Sequence, residues 1–253
     1  MAIAPFLAMT AAEMQNSSQL PSRIAWMACH FSPYGLGLSN FPQWLPPEAL
    51  LLVDDITPAH GHDPVLIAEQ LSECVNTLHC CGILLDFQRS GCTEVQAIAK
   101  HITQALPCPV VVSEPYADGL DCSVFLSPVP PSAPLEEHLL PWKDREIWLE
   151  LGLDGEILTL TEEGCEAISL PCPDWETEGF SDEKLHCHYT IETTEKSAGF
   201  TLWRTTNDLE KLLAEAESLG VSGAVGLYQE FGRFAPHKSL PCVRGGAPRS
   251  ESR

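Results

Sequence analysis

Three acidic residues stand where apolar, strand-like runs of the sequence end. Asp86 closes the run that begins at Cys80, Glu114 follows three valines and a serine, and Glu150 lies in the run 146–151. Carboxyl groups that meet at one edge of a sheet can supply a general acid and a general base, as in sugar-cleaving sites. We therefore predict Asp86, Glu114 and Glu150 as catalytic residues. The alternative is a solvated or helix-capping role, because the chain has 35 acidic residues.

Four further residues near the predicted strand ends have side chains suited to binding a ligand. Gln88 lies two residues after Asp86 and therefore shares its face of a strand. Tyr34 lies in a loop that also carries Phe41 and Trp44, and such aromatic rings can stack on a ring-shaped ligand. Packing beneath the loop is the alternative for these rings. The predicted ligand-binding residues are Gln88, Tyr34, Asp54 and Tyr228.

Two His-x-His pairs suggest a different chemistry. The segment His60-Gly61-His62-Asp63 resembles the metal-binding pair of amidohydrolases, and His186 and His188 form a second pair. Alternate residues of a strand share a face, so one pair could bind a metal ion. However, Asp63 precedes a proline and is better explained as a helix cap. We predict no metal and no cofactor, and a metal-dependent hydrolase is an alternative.

These residues depend for their positions on a regular alternation of strand-like and helix-like segments. Short apolar runs bounded by turn residues predict strands, and an apolar period of about 3.6 residues predicts helices. The Asp-Gly pair at 154–155 predicts a hairpin. The predicted helices are residues 63–78, 93–106 and 206–219. The predicted strands are residues 24–31, 50–53, 80–89, 110–112, 122–126, 146–151, 156–160, 185–191, 200–203 and 221–228.

The order of these segments favours an α/β fold with parallel strands. Strands joined by crossover helices lie parallel, and their connections are almost always right-handed. We predict a (β/α)8 TIM-like barrel with reduced helices in its second half, and the alternative is an open doubly wound sheet. The predicted domains are a flexible leader over residues 1–22, a single barrel over 23–233 and a disordered tail over 234–253.

Two segments resemble family 18 glycoside hydrolases. Residues 220–228, Gly-Val-Ser-Gly-Ala-Val-Gly-Leu-Tyr, are similar to the closing strand of that family's barrel. Residues 81–88 are similar to its D-G-x-D-x-D-x-E strand, but Cys81 and Leu84 replace two aspartates and Gln88 replaces the catalytic glutamic acid. An amide cannot donate and recover a proton as a carboxyl group does.

The resemblance implies a barrel that binds a carbohydrate or polyol at the ends of its strands. Hydrolysis is then either absent or carried by other acids. A non-catalytic interaction protein is a further alternative.

The charge and cysteine content restrict the partners and the cellular compartment. A formal net charge of −21 opposes binding to nucleic acid or anionic membranes, because phosphates attract basic proteins. No apolar run approaches the 18 or so residues of a membrane span. The 11 cysteines are odd in number and include no Cys-x-x-Cys pair, which favours reduced thiols and a cytoplasmic location. The sequence does not predict an oligomeric state.

Overall fold

The computed structural model of the 253-residue chain describes residues 3–171 and 179–232, together with the backbone of residues 237–238. Seven α-helices occur in these ranges, and a 3-10 helix spans Leu140–Trp142. The helices are α1 Ala11–Asn16, α2 Pro64–Leu78, α3 Thr93–Ala105, α4 Glu114–Ala117, α5 Leu135–Leu139, α6 Thr206–Ser218 and α7 Tyr228–Phe231.

The described residues also contain 16 strands. In chain order they are β1 Phe6–Met9, β2 Leu20–Pro21, β3 Ile24–Phe31, β4 Leu38–Ser39, β5 Leu50–Asp54, β6 Gly82–Asp86, β7 Val110–Ser113, β8 Ser123–Leu126, β9 Ile147–Leu151, β10 Gly155–Thr161, β11 Gly164–Leu170, β12 Phe180–Asp182, β13 Cys187–Thr193, β14 Ser197–Trp203, β15 Gly223–Leu227 and β16 His237–Lys238.

Eight parallel strands form a closed barrel. Their order is β1-β15-β9-β8-β7-β6-β5-β3, and β1 also pairs in parallel with β3, which joins the two edges. This closure confirms the predicted (β/α)8 barrel and rules out the open sheet, because an open sheet would leave two edges unpaired. The short strand β4 pairs antiparallel with β3 at the end of the barrel strand.

The first barrel strand lies where the sequence predicted a flexible leader. Residues Phe6–Met9 are buried and pair on both sides, so the prediction of a leader over residues 1–22 is wrong for this segment. The run Phe-Leu-Ala-Met has no β-branched residue and is only 4 residues long, so its strand signal is weak. The predicted tail over 234–253 lies outside the described residues, except for the pairing of β16 with β2.

A second sheet interrupts the barrel between β9 and α6. It is antiparallel, with the order β11-β10-β14-β13-β12. The predicted hairpin at Asp154-Gly155 is therefore wrong, because β9 stays in the barrel while β10 pairs with β11 and β14. The strands predicted at 156–160, 185–191 and 200–203 all belong to this second sheet rather than to the barrel.

The helices that cover the barrel differ in length around it. Helices α2 and α3 have 15 and 13 residues, and Asp63 caps α2 by accepting a hydrogen bond from the Val65 amide at 2.9 Å. In contrast, α4 and α5 have 4 and 5 residues. This difference agrees with the predicted reduction of helices in the second half. No helix in the described ranges is long and apolar enough to cross a membrane.

The barrel interior is filled by alternate residues of its strands. Trp148 of β9 stacks on Phe6 of β1, with ring centroids 5.7 Å apart. A Cβ atom on Gly223 would lie 2.5 Å from the Trp148 ring, so β15 needs glycine at this position. The buried residues of the interior cluster are Phe6, Ala8, Ala25, Leu50, Leu52, Leu84, Val111, Phe125 and Val225.

Candidate functional site at the mouth of the barrel

The carboxyl ends of the barrel strands bring several acidic side chains to one mouth. Leu52 and Leu84 line the barrel interior, so Asp54 and Asp86, two residues further along β5 and β6, face the same way. The two aspartates are direct partners in the register of the sheet. Glu150 follows the inward-facing Trp148 of β9 by two residues and reaches the mouth from the other side.

Asp86 is partly buried and is held by a neighbouring amide. The Gln88 Nε2 group donates a hydrogen bond to Asp86 Oδ1. Burial raises the pKa of Asp86, and the charges of Asp54 and Asp55 act in the same direction. The hydrogen bond from Gln88 offsets only part of this rise. Asp86 and Gln88 are therefore neighbours, as predicted, although β6 ends at Asp86 and Gln88 lies in the loop that follows it.

Glu150 is the most strongly perturbed carboxyl group at the mouth. Burial is the main cause, and the charge of Asp86 is the next, so that the pKa of Glu150 is raised from 4.5 to about 7. Asp86 and Glu150 belong to strands separated by β7 and β8 in the barrel. Each follows an inward-facing residue, Leu84 or Trp148, by two positions, so both carboxyl groups face the same mouth.

The neighbouring Asp54 and Asp55 make different contacts. Burial raises the pKa of Asp54, whose Oδ1 accepts a hydrogen bond from the Ile56 amide at 3.0 Å. The buried Asp55 accepts hydrogen bonds from the amides of Gln88 and Arg89, at 3.0 and 2.9 Å. Asp55 thus fixes the loop that follows β6. The role of Asp55 was not predicted, although Asp54 and Asp55 stand together at the end of the apolar run 50–53.

Glu114 does not join the other carboxyl groups. It is the exposed first residue of α4, and its Oε1 accepts a hydrogen bond from Trp142 Nε1 at 3.4 Å. The preceding Ser113 is buried, and its hydroxyl group donates to the Phe87 carbonyl at 2.7 Å and accepts from the Phe87 amide at 2.9 Å. Ser113 therefore ties β7 to the loop after β6, while Glu114 lies on the adjoining helix.

The predicted tyrosines differ in their surroundings. Tyr34 is 98% exposed on the loop after β3. Tyr228 begins α7, and its hydroxyl group lies 3.2 Å from Ser17 Oγ.

Another acid, Glu230 of α7, was missed by sequence reasoning. Its Oε2 accepts a hydrogen bond from the Leu153 amide at 3.2 Å, and burial raises its pKa. The charge of Glu230 also contributes to the raised pKa of Glu150.

The first His-x-His pair does not converge on a common point. His60 is exposed, and its Nδ1 lies 3.6 Å from Glu94 Oε1. His62 Nε2 instead lies 3.0 Å from the Ser32 carbonyl oxygen.

Each histidine of the second pair has its own carboxylate on α6. His186 pairs with Glu215, and His188 Nδ1 lies 2.9 Å from Asp208 Oδ2. In the part of the chain that the structure covers, no three His, Cys, Asp or Glu side chains are arranged to hold a metal ion. The geometry gives the metal-dependent alternative no support.

Comparisons with known proteins identify the fold of the chain. No protein-family model and no curated protein matches the sequence. Among solved structures, a family 18 chitinase from Cycas revoluta aligns with a TM-score of 0.56 at 10% identity, over 88% of this chain and 94% of that chain. That chitinase carries a Gly-to-Trp and a Glu-to-Gln substitution and is in complex with (GlcNAc)4. The chain has the fold of the family 18 chitinases.

Two other solved structures agree. The class V chitinase from Nicotiana tobaccum, a Glu-to-Gln mutant in complex with NAG4, aligns with a TM-score of 0.55 at 8% identity, over 89% of this chain and 93% of that chain. The spore cortex-lytic enzyme SleL from Bacillus cereus aligns with a TM-score of 0.55 at 10% identity, over 88% of this chain and 70% of that chain. At the level of fold, the resemblance inferred from residues 81–88 and 220–228 is confirmed.

Proposed function

We propose that the protein binds a saccharide at the mouth of its barrel, in contact with Asp86, Gln88 and Glu150. The observation that carries this proposal is the meeting of Asp86 and Glu150 at the strand ends, where burial raises the pKa of each. Neither carboxyl group forms a salt bridge with a lysine or arginine of the described segments. Carboxyl groups that are buried at such an energetic cost, with no cationic partner among the described residues, are typical of a functional site.

The chemistry of these groups suits a polyol. Carboxylate oxygens accept hydrogen bonds from hydroxyl groups, and the exposed Gln88 side chain has both a donor and an acceptor. The two plant chitinases that share this fold hold GlcNAc tetramers although each carries a glutamate-to-glutamine substitution. A glutamate-to-glutamine substitution is thus compatible with saccharide binding in such a barrel, and Gln88 stands where the resemblance of residues 81–88 places the family's catalytic glutamic acid.

Hydrolysis is a second candidate function, and the raised pKa of Glu150 favours it. With a pKa of about 7, this group is both protonated and deprotonated in comparable amounts near neutral pH, as a general acid requires. Glu150 would donate its proton to the glycosidic oxygen as the bond from that oxygen to the sugar carbon breaks. Water would add to the sugar carbon and return a proton to the enzyme. Asp86 would stabilise the positive charge that develops on the sugar.

Binding is tested by calorimetric titration of the full chain with a GlcNAc tetramer and with other neutral oligosaccharides. We expect Asp86→Asn and Glu150→Gln to weaken binding of at least one of them by about tenfold, since each removes an acceptor that faces the ligand. Glu114→Gln is the matched control and should bind as the wild type does. If both mouth variants bind every saccharide unchanged, the site assignment is wrong.

Hydrolysis is tested with aryl N-acetylglucosaminides over a range of pH. If Glu150 is the acid, the rate should fall as the pH rises through about 7, because the proton needed by the leaving group is lost. Glu150→Gln should abolish the rate while the fold is retained. Binding without any turnover in the wild type would leave the protein as a saccharide-binding barrel.

A further inference from the structure

A second concave site lies on the outer wall of the barrel. It is a cleft of about 780 Å³ between α1 and the segment 40–44 that follows β4. Trp26 and Ala28 of β3 contribute to its lining. Trp26 packs with the outer core cluster, whereas its neighbour Ala25 belongs to the barrel interior. The cleft is therefore separate from the mouth that contains Asp86 and Glu150.

The cleft exists because this part of the wall has little helical cover. The connection between β5 and β6 contains a helix of 15 residues, whereas the connection between β1 and β3 contains only the 6-residue α1. The connection from β3 to β5 has no helix at all in the described structure. The irregular segment 40–44 takes the place of a helix and leaves a space beside α1.

The lining of this cleft is free of charge. Its residues include 3 aromatic rings and 3 side-chain amides, and none of them is ionisable. This is unusual in a chain that has 35 acidic and 14 basic residues. A ligand bound here leaves any charge of its own without a partner, so the cleft favours neutral molecules. The aromatic and amide residues are Trp26, Phe41, Trp44, Gln15, Asn40 and Gln43.

The amide groups of the cleft are available to a ligand. Within the described residues, no hydrogen bond engages the side chains of Gln15 or Gln43. The Asn40 side chain has one long contact, from Nδ2 to His30 Nε2 at 3.5 Å. The Asn40 carbonyl accepts a hydrogen bond from Trp26 Nε1 at 3.2 Å, which fixes the segment against the barrel wall. Each free amide can both donate and accept a hydrogen bond.

Trp44 provides an apolar surface beside these amides. It is 56% exposed, although a buried tryptophan would contribute far more to stability. An exposed indole ring next to unpaired amides matches the two sides of a sugar ring, which are a face of C–H groups and an edge of hydroxyl groups. We propose that this cleft is a second binding site, which takes a neutral saccharide with Trp44 as the stacking surface and Gln15 and Gln43 as hydrogen-bonding groups.

The test uses the full chain and three separate probes, which are cellotetraose, maltotetraose and a GlcNAc tetramer. Titrations are followed by calorimetry and by the NMR signal of the Trp44 indole N–H group. The double variant Asp86→Asn/Glu150→Gln serves as the background, because it weakens the mouth without touching the cleft. We expect at least one probe to bind this variant and to shift the Trp44 signal.

Substitutions in the cleft then decide the proposal. Trp44→Ala should weaken binding by about tenfold, and Trp44→Phe should restore part of the loss, because a smaller ring still stacks. Gln43→Ala, at an exposed position, should weaken binding without affecting the fold. The matched control is Phe180→Ala, which removes an aromatic ring that is 63% exposed on the second sheet and should leave binding unchanged.

Three outcomes would overturn this proposal. They are the absence of binding by all three probes, unchanged affinity in both Trp44→Ala and Gln43→Ala, and complete loss of binding in the Asp86→Asn/Glu150→Gln background. The last outcome would place the only saccharide site at the mouth and would leave the proposed function intact. Conversely, binding that depends on Trp44 but not on Asp86 or Glu150 would support the cleft and contradict the mouth.

Discussion

Glu150 occupies a position that favours the protonated form of its carboxyl group. Its folded-state pKa of about 7 lies above the ordinary value of 4.5, so the folded chain binds this proton more tightly than the unfolded chain does. The resulting stabilisation is complete below about pH 4.5 and is lost as the pH rises through about 7. At alkaline pH the buried charge therefore destabilises the fold.

We expect Glu150→Gln to stabilise the protein at pH 8, because an amide removes the buried charge. The free energy of unfolding should increase by about 1 to 3 kcal/mol at that pH and change little at pH 4. Urea unfolding at the two pH values measures the difference. Glu114→Gln, at an exposed carboxyl group, should show no such dependence. Equal stability of Glu150→Gln and wild type at pH 8 would contradict the burial of this charge.

Gln88 is the position at which the proposed hydrolysis can be tested by restoring a carboxyl group. In Gln88→Glu a second carboxyl group would lie beside Asp86, and repulsion between the two should raise the pKa of one of them. Hydrolysis of activated N-acetylglucosaminides should then appear, or rise by about a hundredfold, since a positioned general acid contributes this much or more.

The exposed Gln104 of α3 offers the control for this experiment. Gln104→Glu adds the same charge far from the mouth and should leave the rate unchanged. If Gln88→Glu neither cleaves nor binds any saccharide, and Asp86→Ala changes only stability, the mouth is not a sugar site.

At the scale of elements, β1 is the strand that closes the barrel. Leu7 faces outward from it and is 1% exposed within the outer core. We expect Leu7→Ala to destabilise the protein by about 2 to 5 kcal/mol, because the truncation leaves a cavity in a packed core. Chemical unfolding measures this loss, and Leu160→Ala, at a side chain that is 43% exposed, is the control. An effect no larger than that of the control would mean that residues 1–22 form a leader after all.

The second sheet is fastened to the barrel by a buried cation. Arg204 follows β14, and its guanidinium group donates hydrogen bonds to the carbonyl oxygens of Val129, Pro130, Leu185 and His186. These carbonyls belong to the loop after β8 and to the turn before β13. The Arg204 side chain therefore connects a loop at the mouth to the inserted sheet and fixes the position of one against the other.

At the scale of the whole molecule, the net charge of −21 destabilises the folded state through repulsion between like charges. The described ion pairs are few, and most involve histidine, with Lys211 Nζ and Asp208 Oδ1 at 3.7 Å as an exception. Salt should therefore screen more repulsion than attraction.

We expect physiological NaCl to raise the midpoint of thermal unfolding by about 2 to 4 °C over low salt, which corresponds to about 1 kcal/mol. The control is the midpoint in a neutral osmolyte at equal osmolality, because such a solute does not screen charges. A lower midpoint in salt would show that attractive pairs outweigh the repulsion.

The sequence by itself determined the elements that local signals specify. Asp63 and Pro64 mark the start of α2, because a side-chain acceptor and a fixed backbone angle act within one turn. The apolar run before Asp86 marks β6, and its helical flanks require parallel neighbours. Local signals of this kind predicted seven of the eight barrel strands, all except β1, and placed Asp86 and Gln88 at the end of one of them.

Only the tertiary structure decided which groups meet. Closure through β1 depends on pairing at both sheet edges, which a run of four apolar residues does not reveal. The strands between β9 and α6 do not join the barrel, because they form hydrogen-bonded pairs with one another instead of with the barrel strands. Glu150 and Asp86 face one mouth from strands that β7 and β8 separate, whereas Glu114 lies away from the mouth because it starts a helix directly after the inward-facing Ser113. Such contacts arise from long-range packing and from strand register, and a shift of one residue reverses the face that a side chain occupies.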